Sequence, residues 1–105
     1  MSQFSVHENR NPDSRKQYPY LLDVQSPLLD TLETRIVVPL MPLAALQGNA
    51  MTTLMPSFTI NGEPHVMLTP HMAGVSQRLL GTEITHLGSS RDSVIAAIDL
   101  LITGI

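Results

Sequence analysis

Four histidines, His7, His65, His71 and His86, are the first candidates for metal binding or proton transfer in this chain. Two imidazoles grip one ion readily when they stand four residues apart on a helix face. No pair has that spacing: His65 and His71 are six apart across an expected strand end, and His7 and His86 are remote. They read as isolated surface or strand residues. Among the carboxylates, Asp23 could pair with Asp30 or Glu33 as acid and base. Yet nothing in the sequence brings any two together, and Asp30, Thr31 and Glu33 read as loop. There is no G-x-S-x-G elbow and no phosphate-cradling glycine loop. With no cysteine in the chain, disulfides and thiolate metal sites are excluded. The residues therefore predict no catalytic centre, no metal and no cofactor.

The unusual feature lies at the other end, in "IAAIDLLITGI". Soluble domains usually finish in a polar, frayed tail, whereas this chain finishes Ile102-Thr103-Gly104-Ile105. Such an end is either core or a surface that touches something. Composition favours the second. Charged residues make up 14% of the 105 residues, little enough that part of the surface is expected to serve association, including self-association. A net charge of −3 argues against sequence-independent binding to nucleic acid, which needs a basic face to displace phosphate counterions. Arg10, Arg15 and Lys16 come nearest to a cluster and read as a solvated loop. Only Phe4, Tyr18, Tyr20 and Phe58 are aromatic. Met41, Met51, Met55, Met67 and Met72 are then expected to fill gaps in a Leu/Ile/Val core. No charged stretch precedes an apolar one at the start, and no apolar run approaches the ~18–20 residues of a membrane span. The expectation is one cytoplasmic domain, 1–105, with no membrane association.

Those residues must be positioned by short elements. "QFSVHE" alternates with Phe4 and Val6 on one face and predicts a strand over Gln3–Glu8. "NRNPDSRKQ" is turn chemistry. "YPYLLDVQS" resumes as a strand, with Pro19 near its start. "RIVVPL" (Arg35–Leu40) predicts a strand closed by Pro39 at an edge or bend. Leu43–Leu46 suggests a helical turn stopped by Gly48-Asn49. Asn61-Gly62 predicts a type I′ hairpin of Ser57–Ile60 against Glu63–Leu68, because that turn needs positive φ at both positions. "AGVSQRLLG" supplies one more strand, ended by Gly81. Finally Ser89 or Ser90 caps a helix with Asp92 in its first turn. Its apolar positions are 94, 95, 98, 101, 102 and 105, and Gly104 ends it. A helix apolar on so many sides is expected to be buried against more than one surface. Five or six antiparallel strands and a C-terminal helix make a mainly β, α+β barrel.

Three stretches together, "DVQSPLLDT" (Asp23–Thr31), "RIVVPL" and "AIDLLITGI" (Ala97–Ile105), resemble the CcdB family along essentially the whole chain. "QFSV" and "MLTPHMAGV" also fall in place. The resemblance implies a small SH3-like antiparallel barrel with a C-terminal helix, acting as a homodimer. It implies a toxin of a toxin–antitoxin module that poisons DNA gyrase by binding the gyrase A subunit dimer and trapping the cleaved DNA complex. The resemblance implies that the toxin is not itself an enzyme. A CcdA-type antitoxin would neutralise it through a disordered C-terminal segment and repress the operon with it, so operator DNA is a partner only indirectly. Carried over residue by residue, the gyrase-binding positions are Ser26, Leu28, Leu29, Asp99, Ile102, Thr103, Gly104 and Ile105.

Two positions depart from the family pattern. Thr103 stands where the best-known plasmid-borne members have tryptophan, a residue able to stack on an arginine of the target. "GVSQ" (Gly74–Gln77) stands where Ser-Val-Pro is more usual, which bears on local strand geometry. Thr103 also motivates an alternative: a toxin-fold homologue with lost or weak poisoning that acts as an antitoxin-binding regulator or decoy. An endoribonuclease on the same barrel, as in the Kid and MazF toxins, fits poorly with an acidic chain lacking a basic groove.

Overall fold

The computed structural model describes residues 2–47 and 52–104. Seven strands form one antiparallel sheet: β1 (Ser5–Asn9), β2 (Tyr20–Asp23), β3 (Thr34–Pro42), β4 (Ser57–Ile60), β5 (Glu63–Met67), β6 (Ala73–Ser76) and β7 (Leu80–His86). The order is β4-β5-β3-β2-β1-β7, with β6 also beside β3. The sheet curls into a half-barrel, and one helix, α1 (Arg91–Thr103), follows it. This is the expected mainly β architecture with two strands redrawn.

The sheet has apolar residues buried on both faces, which is why its strands read as runs rather than clean alternations. Val6, Leu22, Val38, Leu40, Ile60 and Met67 point inward and meet Val94 and Ala97 of α1. Their neighbours Leu21, Val37 and Leu80 form a second cluster behind. Met41, Val66 and Leu68 form a third, with Tyr18, Leu46 and Met55 partly covering it. Met41 and Met67 are thus core fillers, whereas Met51 lies outside the described residues.

β3 does not end at Pro39 as expected; it continues to Pro42. β3 is the trunk of the sheet. Along one side it pairs with β2 over Val37–Leu40, and along the other it pairs with β6 over Thr34–Val37 and with β5 over Leu40–Pro42. Pro39 falls where the second partner changes, so its missing N–H leaves no ladder bond broken. Its carbonyl still accepts from Leu68 N–H at 3.0 Å.

The single strand expected over "AGVSQRLLG" is two. β6 ends at Ser76, whose hydroxyl oxygen accepts from Arg78 N–H at 3.3 Å and starts a 3-10 turn over Gln77–Leu79. β7 follows, and Gly81 lies inside it rather than ending it. A Cβ at Gly81 would sit 3.0 Å from the Glu8 carbonyl oxygen, tighter than ordinary contact, so β1 would have to shift by a few tenths of an ångström to accept a side chain there. β7 lacks a sequence signal because it is an edge strand with mostly exposed or half-exposed side chains. The "GVSQ" departure leaves the pairing of β6 with β3 intact, with Gly74 opposite Ile36.

The expected first strand begins two residues late. Phe4 takes a left-handed φ of 71°, which turns the chain so that its N–H reaches the Asp23 carbonyl and its own carbonyl accepts from Leu87 N–H. Phe4 and Val6 both still reach the core. Leu43–Ala45 makes the expected turn, of 3-10 type; the Gly48-Asn49 stop lies outside the described residues. The β4–β5 hairpin turns at Asn61 (φ 51°) and Gly62 (φ 81°) with Ile60 opposite Glu63, as its dipeptide predicted.

In the hairpin turn, a side chain at Gly62 is opposed by backbone conformation, not by space. Gly62→Ala is expected to lower stability by about 1–2 kcal/mol in urea unfolding, the usual cost of forcing an L-residue into the left-handed region. Gly74→Ala, whose Cβ would meet only Ile36 Cδ1 at 3.5 Å, should stay within about 0.5 kcal/mol of the parent.

Candidate functional site

The histidines are spent on structure. His7 is buried, its Nδ1 donating to the Gly81 carbonyl at 2.9 Å and its Nε2 lying 2.8 Å from Ser5 Oγ, so it ties β1 to β7. His65 is buried, bonds the Glu63 carbonyl and meets Tyr20 edge-on at 5.1 Å between ring centres. His86 Nδ1 accepts from Gly88 N–H at 3.0 Å. His71 leans towards Tyr18 beside a surface cleft whose lining holds no carboxylate. Among the described residues, no group of three or more His, Asp or Glu is placed to hold a metal.

The carboxylates do converge, on a partner the sequence reading did not pair with them. Arg35, at the start of β3, is 2% exposed. Its Nε donates to Asp23 Oδ2 at 2.9 Å. Its Nη2 lies 2.7 Å from that same oxygen, a charge contact without hydrogen-bond alignment. Its Nη1 donates to Asp30 Oδ1 at 2.9 Å. Asp23 is fully buried, whereas Asp30 is 48% exposed. Burial by itself would lower the pKa of the guanidinium, but the bonds and charges of Asp30 and Asp23 outweigh it and the pKa is raised. Folding therefore favours the charged form, and this contribution is lost only at alkaline pH above the ordinary arginine range. Asp23 and Asp30 are thus held by a fixed cation, an arrangement suited to positioning backbone.

What they position is the loop from β2 to β3. Asp23 Oδ1 accepts from Gln25 N–H. Gln25 is itself buried, with Nε2 donating to the Leu29 carbonyl at 2.9 Å and Oε1 accepting from Ile36 N–H at 3.1 Å. Between these supports runs a 3-10 turn, Pro27–Leu29. Ser26 caps it, its hydroxyl oxygen accepting from Leu28 N–H at 3.2 Å. Proline at the first position supplies the required φ and withholds no needed donor. The result is a well-supported turn that lifts apolar side chains into solvent: Leu28 is 91% exposed and Leu29 48%.

The other expected site residues lie at the end of α1. Val94 and Ala97 are buried and Ile95 and Ile98 pack partly against the core. The expectation that the helix is buried on several sides fails beyond that point, since Leu101 is 38% and Ile102 68% exposed. The physical reason is position: Val94 and Ala97 pack against the strand residues of the core, whereas Leu101 and Ile102 in the last turn join none of the core clusters among the described residues. Asp99 and Thr103 are exposed. Gly104 takes φ 74° and its N–H bonds back to the Leu100 carbonyl at 3.1 Å, an αL stop. Thr103 Oγ1 donates to the Asp99 carbonyl at 2.7 Å, so its hydroxyl proton is used within the helix. Ile105 lies outside the described residues.

Two exposed apolar ends thus stand on separate supports: Ser26, Leu28 and Leu29 on the Arg35 clamp, and Asp99, Ile102, Thr103 and Gly104 on the helix. Large side chains left in water on well-ordered backbone are the mark of a contact surface rather than a catalytic pocket. Sequence reasoning missed Arg35 and Gln25 as the loop's supports. The available signal was a lone arginine heading a β-branched run and an aspartate inside "LLDVQ", polar residues where strands are otherwise buried.

No helix among the described residues is long and apolar enough to cross a membrane. A family model described as CcdB protein matches residues 3–104, nearly the whole chain.

Arg35→Met should destabilise the fold by about 3–5 kcal/mol in urea unfolding, because Asp23 is left charged and enclosed. Adding Asp23→Asn removes that uncompensated charge while keeping an acceptor for Gln25 N–H, and should recover most of the loss.

Proposed function

The chain belongs to the CcdB family, and from that premise we propose that it poisons DNA gyrase as the toxin of a type II toxin–antitoxin pair. The family implies a gyrase-poisoning toxin and is not one of catalytic enzymes. The finer reading is ours. The protein acts as a cytoplasmic homodimer, binds the gyrase A subunit dimer, traps the cleaved DNA complex and is released by a CcdA-type antitoxin. Operator DNA is reached only through the antitoxin.

One observation carries this reading: Leu28 and Ile102, both expected contact residues, are left in water on ordered backbone. Each leucine or isoleucine of this size gains roughly 1.5–3 kcal/mol when fully buried. A homodimer duplicates both ends about its two-fold axis, and a symmetric patch is what a symmetric target can accept. Ser26, Leu28 and Leu29 form one contact group, with Ser26 still able to donate its hydroxyl proton. Ile102 supplies apolar area, Asp99 a polar rim, and Gly104 a backbone free of a Cβ, with Ile105 docking last.

Thr103 weakens this surface without removing it. Its hydroxyl proton is engaged with the Asp99 carbonyl, so it offers a methyl group where tryptophan would offer a stacking face. Leu28 and Ile102 then carry more of the apolar contact.

Calorimetry with the dimerisation fragment of the gyrase A subunit tests the reading. Wild type is expected to bind, and Leu28→Asp and a chain lacking Gly104-Ile105 to lose most affinity. Thr103→Trp should bind at least about 30-fold tighter, the equivalent of 2 kcal/mol at an interface hot spot. A folded wild type that shows no binding at micromolar protein would defeat the proposal, and growth arrest on expression should fail with it.

A further inference from the structure

We infer that Arg35, acting through Asp30, is a positioning residue for the gyrase-binding turn: it holds Leu28 and Leu29 in one arrangement before the partner arrives. The inference rests on the function proposed above. Leu28 is 91% exposed, so its side chain finds almost nothing on its own protein to hold it. The shape of the turn must come from the groups that grip it on either side. Locally Ser26 caps its start. At its far end two buried side chains take hold: Gln25 Nε2, from the loop just after β2, on the Leu29 carbonyl, and Arg35 Nη1, from β3, on Asp30.

These two grips differ in kind. Gln25 is buried and neutral, and its amide is used at both ends. The Arg35 grip is a charged pair with one member enclosed and the other 48% exposed. The guanidinium plane cannot swing to follow a moving Asp30, because its Nε is already fixed on buried Asp23. A planar fork fixed at one nitrogen dictates where the partner of another must sit. Asp30 is therefore drawn to one place, and with it the residue that closes the turn. Losing this grip leaves Gln25 on the Leu29 carbonyl as the remaining side-chain hold on the turn's far end, while Glu33 stays tied through its carbonyl to Gln77 N–H, so the stretch Leu28–Thr31 between these ties loosens.

The functional consequence is kinetic. A turn that spends only part of its time in the binding arrangement lowers apparent affinity by that fraction. Asp30 is also exposed enough to touch a partner directly, which would give the same loss by another route, and the experiment must separate the two.

Asp30→Ala is made in wild type and in the Asp23→Asn/Arg35→Met background. Binding to the gyrase A fragment is followed by stopped flow, and backbone order of Leu28–Thr31 by 15N relaxation in the free protein. In wild type, Asp30→Ala should slow association about 3- to 10-fold, as for a competent population falling to roughly a tenth to a third, with little change in dissociation. Order parameters should fall towards ~0.6 in this segment alone. In the double-variant background the same substitution should add nothing. An additive loss there, or a loss confined to dissociation, would overturn the inference and make Asp30 a direct contact. So would unchanged loop order. Because loop order is read without a partner, failure of wild type to bind gyrase would sink the proposed function alone.

Discussion

A buried arginine can be tolerated only where fixed acceptors meet it, and Arg35 organises the part of this molecule that faces outward. Its charge is enclosed at the start of β3, two residues before Val37, the ladder partner of Asp23; Asp23 meets it from the end of β2 and Asp30 reaches back from the connecting loop. Once Asp23 and Arg35 are enclosed together, neither can be withdrawn without leaving a bare charge in the interior. That constraint fixes where β2 ends, where β3 begins and how the ten residues between Asp23 and Thr34 must close. Gln25 completes the arrangement by bonding Leu29 and Ile36 at once.

The sheet supplies the rigid frame for this. β3 pairs with β2 on one side and with β6 and then β5 on the other. Inward residues pack with α1 while outward ones form two smaller clusters. The trunk strand is buried from Val37 to Met41, while Ile36 near its start stays 38% exposed. The most exposed large apolar side chains are Leu28, at 91%, and Ile102, at 68%, in a loop turn and in the last helical turn.

The two exposed ends differ in how firmly they are held. The Pro27–Leu29 turn is tied to the sheet by a charged and a neutral side chain. Among the described residues, the end of α1 carries the Thr103 hydroxyl on the Asp99 carbonyl and the αL stop at Gly104. Threonine at 103 spends its hydroxyl on the helix end and offers less side-chain area outward than a tryptophan would.

Much of this was legible in the chain itself. Asn61-Gly62 fixed a turn, Pro19 stood before a strand, and Asp92 and Gly104 marked the ends of α1, because each acts through its own backbone. The family resemblance named Leu28, Leu29 and Ile102, and all three are exposed. What the sequence could not decide were matters of partnership. Pro39 reads as a strand end until two neighbouring strands are seen to exchange places beside it. Gly81 reads as a stop until β1 is seen pressing on it. "GTEITH" carries no inward stripe because an edge strand buries little. Asp23, Asp30 and Arg35 look unrelated until the β2–β3 ladder brings them within 3 Å of one another's charged groups. The apolar periodicity of α1 told that it had an inner face, but not how far along the helix that face stays covered; that Leu101 and Ile102 are 38% and 68% exposed came from the structure. Local backbone preference is written residue by residue and can be read that way. Burial and charge pairing depend on what lies across space, and only the tertiary structure decides them.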